Sequence, residues 1–234
     1  MNPSSIYTDG TYASKNPAFG SENADWKINF TLDACKALEL PHNTIAEVGC
    51  GGGSILAGIS KNLCSRLAVG YEPMPEAYRE ADKHTDKHLN FENRAIKSGE
   101  LADFDLVLCY DVIEHIEDCF SFVRGMKGLG RNFLFHFPLD MNAQMVARGG
   151  PMRMVRNEVG HIHYFSKDSA LSLLEECGFT VQHHSYTFGA DGCYTGFLYR
   201  LMKLPRKILF SLFPDHTVRI LGGFSLLVWA KPEN

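Results

Sequence analysis

The 234-residue chain contains no apolar run approaching the ~20 residues that a helix needs to cross a bilayer. Its opening, Met1-Asn2-Pro3-Ser4-Ser5, lacks the basic and apolar stretches of a secretory leader, so a soluble protein is the expectation. Cys-x-x-Cys pairs are missing too. Seven cysteines, at 35, 50, 64, 109, 119, 177 and 193, follow no regular framework, which argues against a disulfide scaffold and fits reduced thiols in the cytoplasm. There is no basic excess: 23 Lys and Arg face 27 Asp and Glu for a net charge of -4. Such a chain has no general field for tracking a phosphate backbone, which disfavours nucleic acid as a partner. Internal repeats and low-complexity tracts are also lacking. What is present is 45% hydrophobic content, enough for a full core, and one domain over 1–234 is expected.

Glycine is concentrated where it demands an explanation. Residues 45 to 56, Ile45-Ala46-Glu47-Val48-Gly49-Cys50-Gly51-Gly52-Gly53-Ser54-Ile55-Leu56, read as a buried strand turning into a helix. Glycines at 49, 51, 52 and 53 would weaken either element, so close backbone approach to a ligand is the better explanation. Ile55, Ile59 and Leu63 recur at helical spacing, and free N–H groups at the start of that helix are expected to face a small polar ligand. A dinucleotide fingerprint needs glycine where Ser54 stands, which argues against NAD or FAD. Arg66 to Tyr71 reads as the next strand, and Glu72 ends it 23 places after Gly49. An acid about 20 residues past a glycine loop is placed to accept ribose hydroxyls in a doubly wound fold.

Glu47-Val48-Gly49-Cys50-Gly51-Gly52-Gly53 closely resembles motif I of the class I S-adenosylmethionine-dependent methyltransferases. Phe104-Asp105-Leu106-Val107 followed by Asp111-Val112-Ile113-Glu114-His115 resembles the family's fourth motif, Phe-Asp-x-Val and then Glu-His. The resemblance implies a Rossmann-like α/β fold, with a seven-stranded, mostly parallel sheet and helices on both faces. It implies S-adenosylmethionine as cofactor and S-adenosylhomocysteine as product. The carried-over cofactor residues are Glu47, Gly49, Cys50, Gly51, Gly53 and Glu72, then Cys109, Tyr110 and Asp111 beside the methionine part. Family members usually place an acid near the adenine after the third strand; here Ala95-Ile96-Lys97-Ser98 follows, leaving Asn93 or Ile96 to flank the base.

In chain order, a helix is expected over 23–40, with Asn23 as cap and Trp26, Phe30, Ala34 and Leu38 at helical intervals. Similar methyltransferases lay such a segment, with rings such as Tyr7 and Tyr12, over the cofactor as a lid; packing on the sheet edge is the other reading. Strands over 45–49, 66–71 and 89–94 then alternate with helices over 53–64 and 75–88, which predicts parallel pairing. A strand over 104–110, a helix over 116–128 and a strand over 131–137 follow. Asp111, Glu114 and His115, at i, i+3 and i+4, would share a helix face and could bind a divalent cation, as in some RNA 2'-O-methyltransferases and ubiquinone-pathway O-methyltransferases. A capping box, Asp111 with Glu114, is the preferred reading, so no metal is expected.

After the fifth strand, 139–165 reads as a substrate-side insertion, irregular from Leu139 to Gly160 and carrying Arg148, Arg153 and Arg156. Guanidinium groups over the site suit an anionic substrate; a solvated loop is the alternative. His161 and His163 alternate, so only one faces the pocket. His161 is assigned there and, with His115, is a candidate base. Ser166 caps a helix that Gly178 ends. A second insertion, 196–223, holds Lys203, Arg206 and Lys207 among leucines. Contact with a membrane surface or a lipid-linked substrate is one reading, and a packed helix with a solvated basic face is preferred.

The expectation is methyl transfer to a hydroxyl of a small polar or anionic metabolite: a sugar, a phosphate-bearing intermediate or a quinone precursor. A metal-assisted RNA-end 2'-O-methyltransferase and a non-catalytic scaffold of the same fold are the rivals.

Overall fold

A computed structural model describes residue 14 and residues 16–188 and 197–233, with the backbone alone for 197–203. Tyr7, Tyr12 and Gly196 lie outside the described residues. Seven strands form one sheet in the order β3-β2-β1-β4-β5-β7-β6. They are β1 (Thr44–Val48), β2 (Leu67–Tyr71), β3 (Leu89–Glu92), β4 (Phe104–Tyr110), β5 (Gly130–Pro138), β6 (Phe179–Phe188) and β7 (Phe224–Pro232). β7 runs antiparallel to both β5 and β6, while β1 pairs in parallel with β2 and β4. The order reverses between β1 and β4, and in an open α/β sheet that switch point leaves a crevice at the strands' carboxyl ends.

Two apolar layers hold the helices on opposite faces. Alternation along β5 separates them: Phe133, Phe135 and Phe137 are fully buried on one side, where Phe179 meets Phe133 and Phe135 edge-on. On that side pack α4 (Cys119–Met126), α7 (Lys167–Glu176) and, through Val218, α9 (Pro214–Ile220). The other face, with Ile45, Leu106, Leu108 and Leu134, takes α1 (Ala24–Ala37), α2 (Ser54–Leu63) and α3 (Pro75–Ala81). Each buried phenylalanine contributes roughly 1.5–3 kcal/mol by leaving water. At the start of β1, Thr44 N–H donates to Asp105 Oδ2 (3.0 Å) and Asp105 N–H to Thr44 Oγ1 (2.9 Å), fixing the β1–β4 register.

Several expectations change. In α1 the buried stripe is Ala24, Lys27, Thr31 and Cys35, one position round from the expected Trp26 and Phe30; Asn23 makes no side-chain cap. The helix expected over 75–88 stops at Ala81 and tightens into a 3-10 turn, Asp82–His84. Residues 113–115 form only a 3-10 turn, and α4 begins at Cys119, capped by the Asp118 carboxylate, which accepts from Ser121 N–H. The stretch from Leu139 to Gly160 is not irregular: it contains α5 (Ala143–Arg148), capped by Asn142, and α6 (Gly150–Glu158). Ser166 caps α7 as expected, in a capping box with Ser169. The second insertion is a helical pair, α8 (Phe197–Leu212) and α9.

Candidate active site

The glycine loop crosses the carboxyl end of β1, and its glycines answer to the chain itself. Gly49, Gly51 and Gly53 have φ of 73°, 53° and 77°, a left-handed conformation that a Cβ disfavours. A Cβ on Gly51 would lie 2.5 Å from the Phe19 carbonyl oxygen, and one on Gly53 2.8 Å from the Phe91 ring. The N–H groups of the loop itself are taken up within the chain. Gly49 and Cys50 donate to Tyr71 O, Gly52 to Phe19 O and Gly53 to Cys50 O. Gly51 N–H donates to Glu72 Oε2 at 2.9 Å, while Glu72 Oε1 accepts from Met74 N–H at 2.8 Å. Phe19 thus lies over the loop.

Glu72 is buried, and burial raises its pKa against the two N–H donors. Each oxygen accepts one bond and keeps a second lone pair. Asn93 Nδ2 donates to Glu72 O at 2.9 Å, so Asn93 braces the Glu72 backbone. Ile96 packs half-buried against the core. Glu47 is sunk beneath the loop with Oε2 unpartnered; burial pushes its pKa up to about 8, against the pull of Lys27 and the Leu56 amide. Cys50 and Cys109 are buried, and burial drives both thiols well up. Tyr110 is buried too, its hydroxyl 2.9 Å from Thr31 Oγ1 on α1.

Asp111 leaves β4 with φ of 55°, a conformation that aspartate tolerates better than most residues. It does not join Glu114 in a capping box. Its Oδ2 lies 2.7 Å from Lys27 Nζ and its Oδ1 2.6 Å from His136 Nδ1, and His136 Nε2 reaches Thr187 Oγ1 at 2.8 Å. Burial alone would raise the Asp111 pKa, but His136 and Lys27 outweigh it and hold the carboxyl well below the usual range. Lys27, almost wholly buried, keeps its proton because Asp111 opposes the cost of desolvation. The His136 ring stacks on Phe30 with centroids 5.0 Å apart.

A second polar group forms where the chain after α6 returns. Ile162 and His163 N–H both donate to the Glu114 carbonyl, bringing His161 beside the 3-10 turn. His161 Nδ1 lies 2.6 Å from Asp140 Oδ2, and its Nε2 lies 3.8 Å from Glu114 Oε1. His115 Nε2 is 4.0 Å from the same oxygen, and the two imidazoles meet edge-on at 4.8 Å. Glu114 is fully buried with neither oxygen hydrogen-bonded, and burial followed by the Asp111 charge drives its pKa well up. Burial lowers the His115 pKa to about 4, against its hydrogen bond with the Gly160 backbone, so the ring is neutral at physiological pH. His163 turns away, Nε2 bonding Ile116 O at 2.9 Å. Ligand atoms of Glu114, His115 and His161 lie within 4.8 Å of one another; the structure therefore groups His161, rather than Asp111, with Glu114 and His115.

The three arginines of the insertion stand on its two helices. Arg148 closes α5, Arg153 and Arg156 lie on α6, and all are exposed. Sequence reasoning missed Lys27, His136, Thr187 and Asp140. Lys27 was visible as the first member of a four-residue spacing with Thr31 and Cys35; Asp140 had no local signal.

A family model described as a methyltransferase domain matches residues 25–184. The chain belongs to this family, and its fold is that of the class I, S-adenosylmethionine-dependent methyltransferases. The magnesium protoporphyrin IX methyltransferase of Synechocystis PCC 6803, solved with bound S-adenosylhomocysteine, superposes with a TM-score of 0.63 at 14% identity, covering 99% of this chain and 100% of that one. Among curated relatives, a ubiquinone biosynthesis O-methyltransferase of Methylobacterium sp. is 34% identical over 35% of this chain and 34% of its own length. One of Vibrio campbellii is 26% identical over 56% of this chain and 58% of its own. The match thus spans less than two thirds of either relative. Among the described residues, no helix is long and apolar enough to cross a membrane.

Proposed function

We propose that the chain transfers a methyl group from S-adenosylmethionine to a hydroxyl of a small molecule, with a phenolic quinone precursor as the favoured acceptor. Glu72, braced by Asn93, would hold the ribose, and Ile96 would flank the adenine. The glycine loop and the Cys109-Tyr110-Asp111 strand end would border the amino acid part. The cofactor supplies a sulfonium methyl open to in-line attack, with the electrons of the broken C–S bond passing to the sulfur of S-adenosylhomocysteine. Holding acceptor and methyl aligned supplies roughly 7–11 kcal/mol of barrier lowering.

The observation that carries the reading is the Asp140–His161 pair beside Glu114 and His115. Asp140 accepts from His161 Nδ1–H and fixes the tautomer, which leaves Nε2 to take the acceptor's hydroxyl proton. The relatives' printed names, ubiquinone biosynthesis O-methyltransferase, support oxygen as the atom methylated. Arg148, Arg153 and Arg156 offer a basic rim for an anionic acceptor. We place the reaction in the cytoplasm, on the thiol usage read from the sequence.

One observation favours a second version of the same reaction. The orphaned Glu114 carboxylate, with His115 and His161 Nε2 nearby and Asp140 behind His161, is a donor set suited to a divalent cation. Such an ion would acidify a bound hydroxyl, and His161 would then be a ligand rather than the base. The test is transfer of labelled methyl to a panel of catechols, sugars and sugar phosphates, in chelator and with magnesium, manganese or zinc restored. Transfer to catechols supports the reading, and its dependence on metal chooses between the two versions. Failure with every hydroxyl acceptor by protein that binds the cofactor overturns it.

A further inference from the structure

Helix α8 is apolar on two sides. Inward, Phe210 stacks on Phe224 at 5.4 Å and meets Phe188 edge-on at 4.7 Å. Outward, Leu204, Ile208, Leu209 and Leu212 are exposed, and Phe213 and Ile220 extend the patch across α9. Leu204 and Leu212 keep 67% and 64% of their surface in solvent. This departs from the expected packed helix with only a basic face to water. A helix apolar on two sides ordinarily buries both, yet none of the described residues covers the outer side of this one. A cavity of about 420 Å³, lined by Leu209, Phe213, His216, Thr217, Ile220 and Leu221, sits at the junction of the two helices.

The charge pattern of the patch is as one-sided as its apolarity. Within α8 stand Arg200, Lys203, Arg206 and Lys207 and no acid, in a chain of net charge -4. Asp215, the acid of α9, is already taken by Lys167 Nζ at 2.7 Å and by the Tyr186 hydroxyl. Apolar side chains facing outward beside a run of basic residues match a helix lying in the plane of a membrane interface. A second copy of the chain fits less well, because an isologous contact would set the same basic run against itself.

We infer that the outer face of α8 and α9 docks on an anionic lipid surface. The exposed leucines and Phe213 enter the acyl boundary, and Lys207 meets the headgroups. This surface is separate from the Glu114 cluster and does not rest on the methyl-transfer reading.

The test is flotation of the purified chain with phosphatidylcholine vesicles, with and without phosphatidylglycerol. Wild type is compared with Ile208→Asp/Leu212→Asp and with Lys203→Glu/Lys207→Glu, and melting curves check that each variant is folded. The wild type is expected to float with the anionic vesicles and to be released by salt. The charge variant is expected to weaken partition at least ~fivefold for each charge reversed, and the apolar variant to stay unbound. Equal flotation with neutral vesicles, no flotation with either, or variants that float as the wild type does would each overturn the inference. So would an aspartate variant that converts a non-floating wild-type dimer to a monomer, which would assign the face to a second copy.

Discussion

The ammonium of Lys27 on α1 lies 2.7 Å from Asp111 Oδ2 at the end of β4, and the other oxygen of that carboxylate lies 2.6 Å from His136 on β5. One carboxylate therefore joins α1 to the carboxyl ends of β4 and β5. Lys27→Met is expected to destabilise by about 3 kcal/mol, the lower end for a broken buried pair, since Asp111 keeps 29% of its side chain exposed. Lys27→Met/Asp111→Asn should recover part of the loss. Urea unfolding of the two variants checks this; equal losses would show that the ion pair is not what anchors α1.

Glu47 makes stability depend on pH in an unusual direction. Its folded pKa of about 8 exceeds the model-compound value of 4.5, so between those values the folded state holds a proton that the unfolded state has lost. Stability from this group is complete below about pH 4.5 and falls as pH rises towards 8. Glu47→Gln removes the titration while keeping an acceptor for the Leu56 amide. The variant should gain stability above pH 7, by about 1–3 kcal/mol, and its urea midpoint should lose that slope; an unchanged slope would place the proton elsewhere.

His115 acts on the acid side. With a folded pKa of about 4 against 6.5, the unfolded state binds the extra proton, so stability drops as pH falls from about 6.5 to 4. His115→Gln should flatten that limb of the midpoint profile.

Gly51→Ala tests the contact between the loop and Phe19. Its Cβ would meet the Phe19 carbonyl oxygen at 2.5 Å in a left-handed backbone, so the variant should lose about 1–3 kcal/mol and release the segment around Phe19. Faster amide exchange at Gly52, whose N–H donates to Phe19 O, is the readout.

Asp140→Asn should leave cofactor affinity unchanged and lower kcat by about 10²–10⁴, through loss of the tautomer that presents His161 Nε2. Comparing cofactor affinity with turnover separates this from a general structural effect.

Much of this architecture was legible in local pattern. Strand patterns from Ile45 to Phe137 located the first five strands, because each reports burial through its own side chains. The glycine loop was found from the clustering of its glycines, and Glu72 from its spacing to that loop. Their local chemistry was less legible: the loop's glycines are required by Phe19, Val112 and Phe91, contacts made by residues distant in sequence. The Asp111–Glu114 pairing failed because the chain turns left-handed at Asp111 and makes only a 3-10 turn after it, breaking the helical spacing that the pairing assumed. Asp140 and His136 gained their roles from contacts across 21 and 25 positions, which no periodicity reports.

The central claim is a cofactor site at the switch point between β1 and β4, and calorimetric titration with S-adenosylmethionine and S-adenosylhomocysteine tests it most directly. The account predicts saturable binding of both, one per chain, weakened at least ~10-fold in Glu72→Ala, where a hydrogen-bonded charged group is lost. Folded wild-type protein that binds neither compound, or a folded Glu72→Ala variant that binds both as tightly as the wild type, would contradict it.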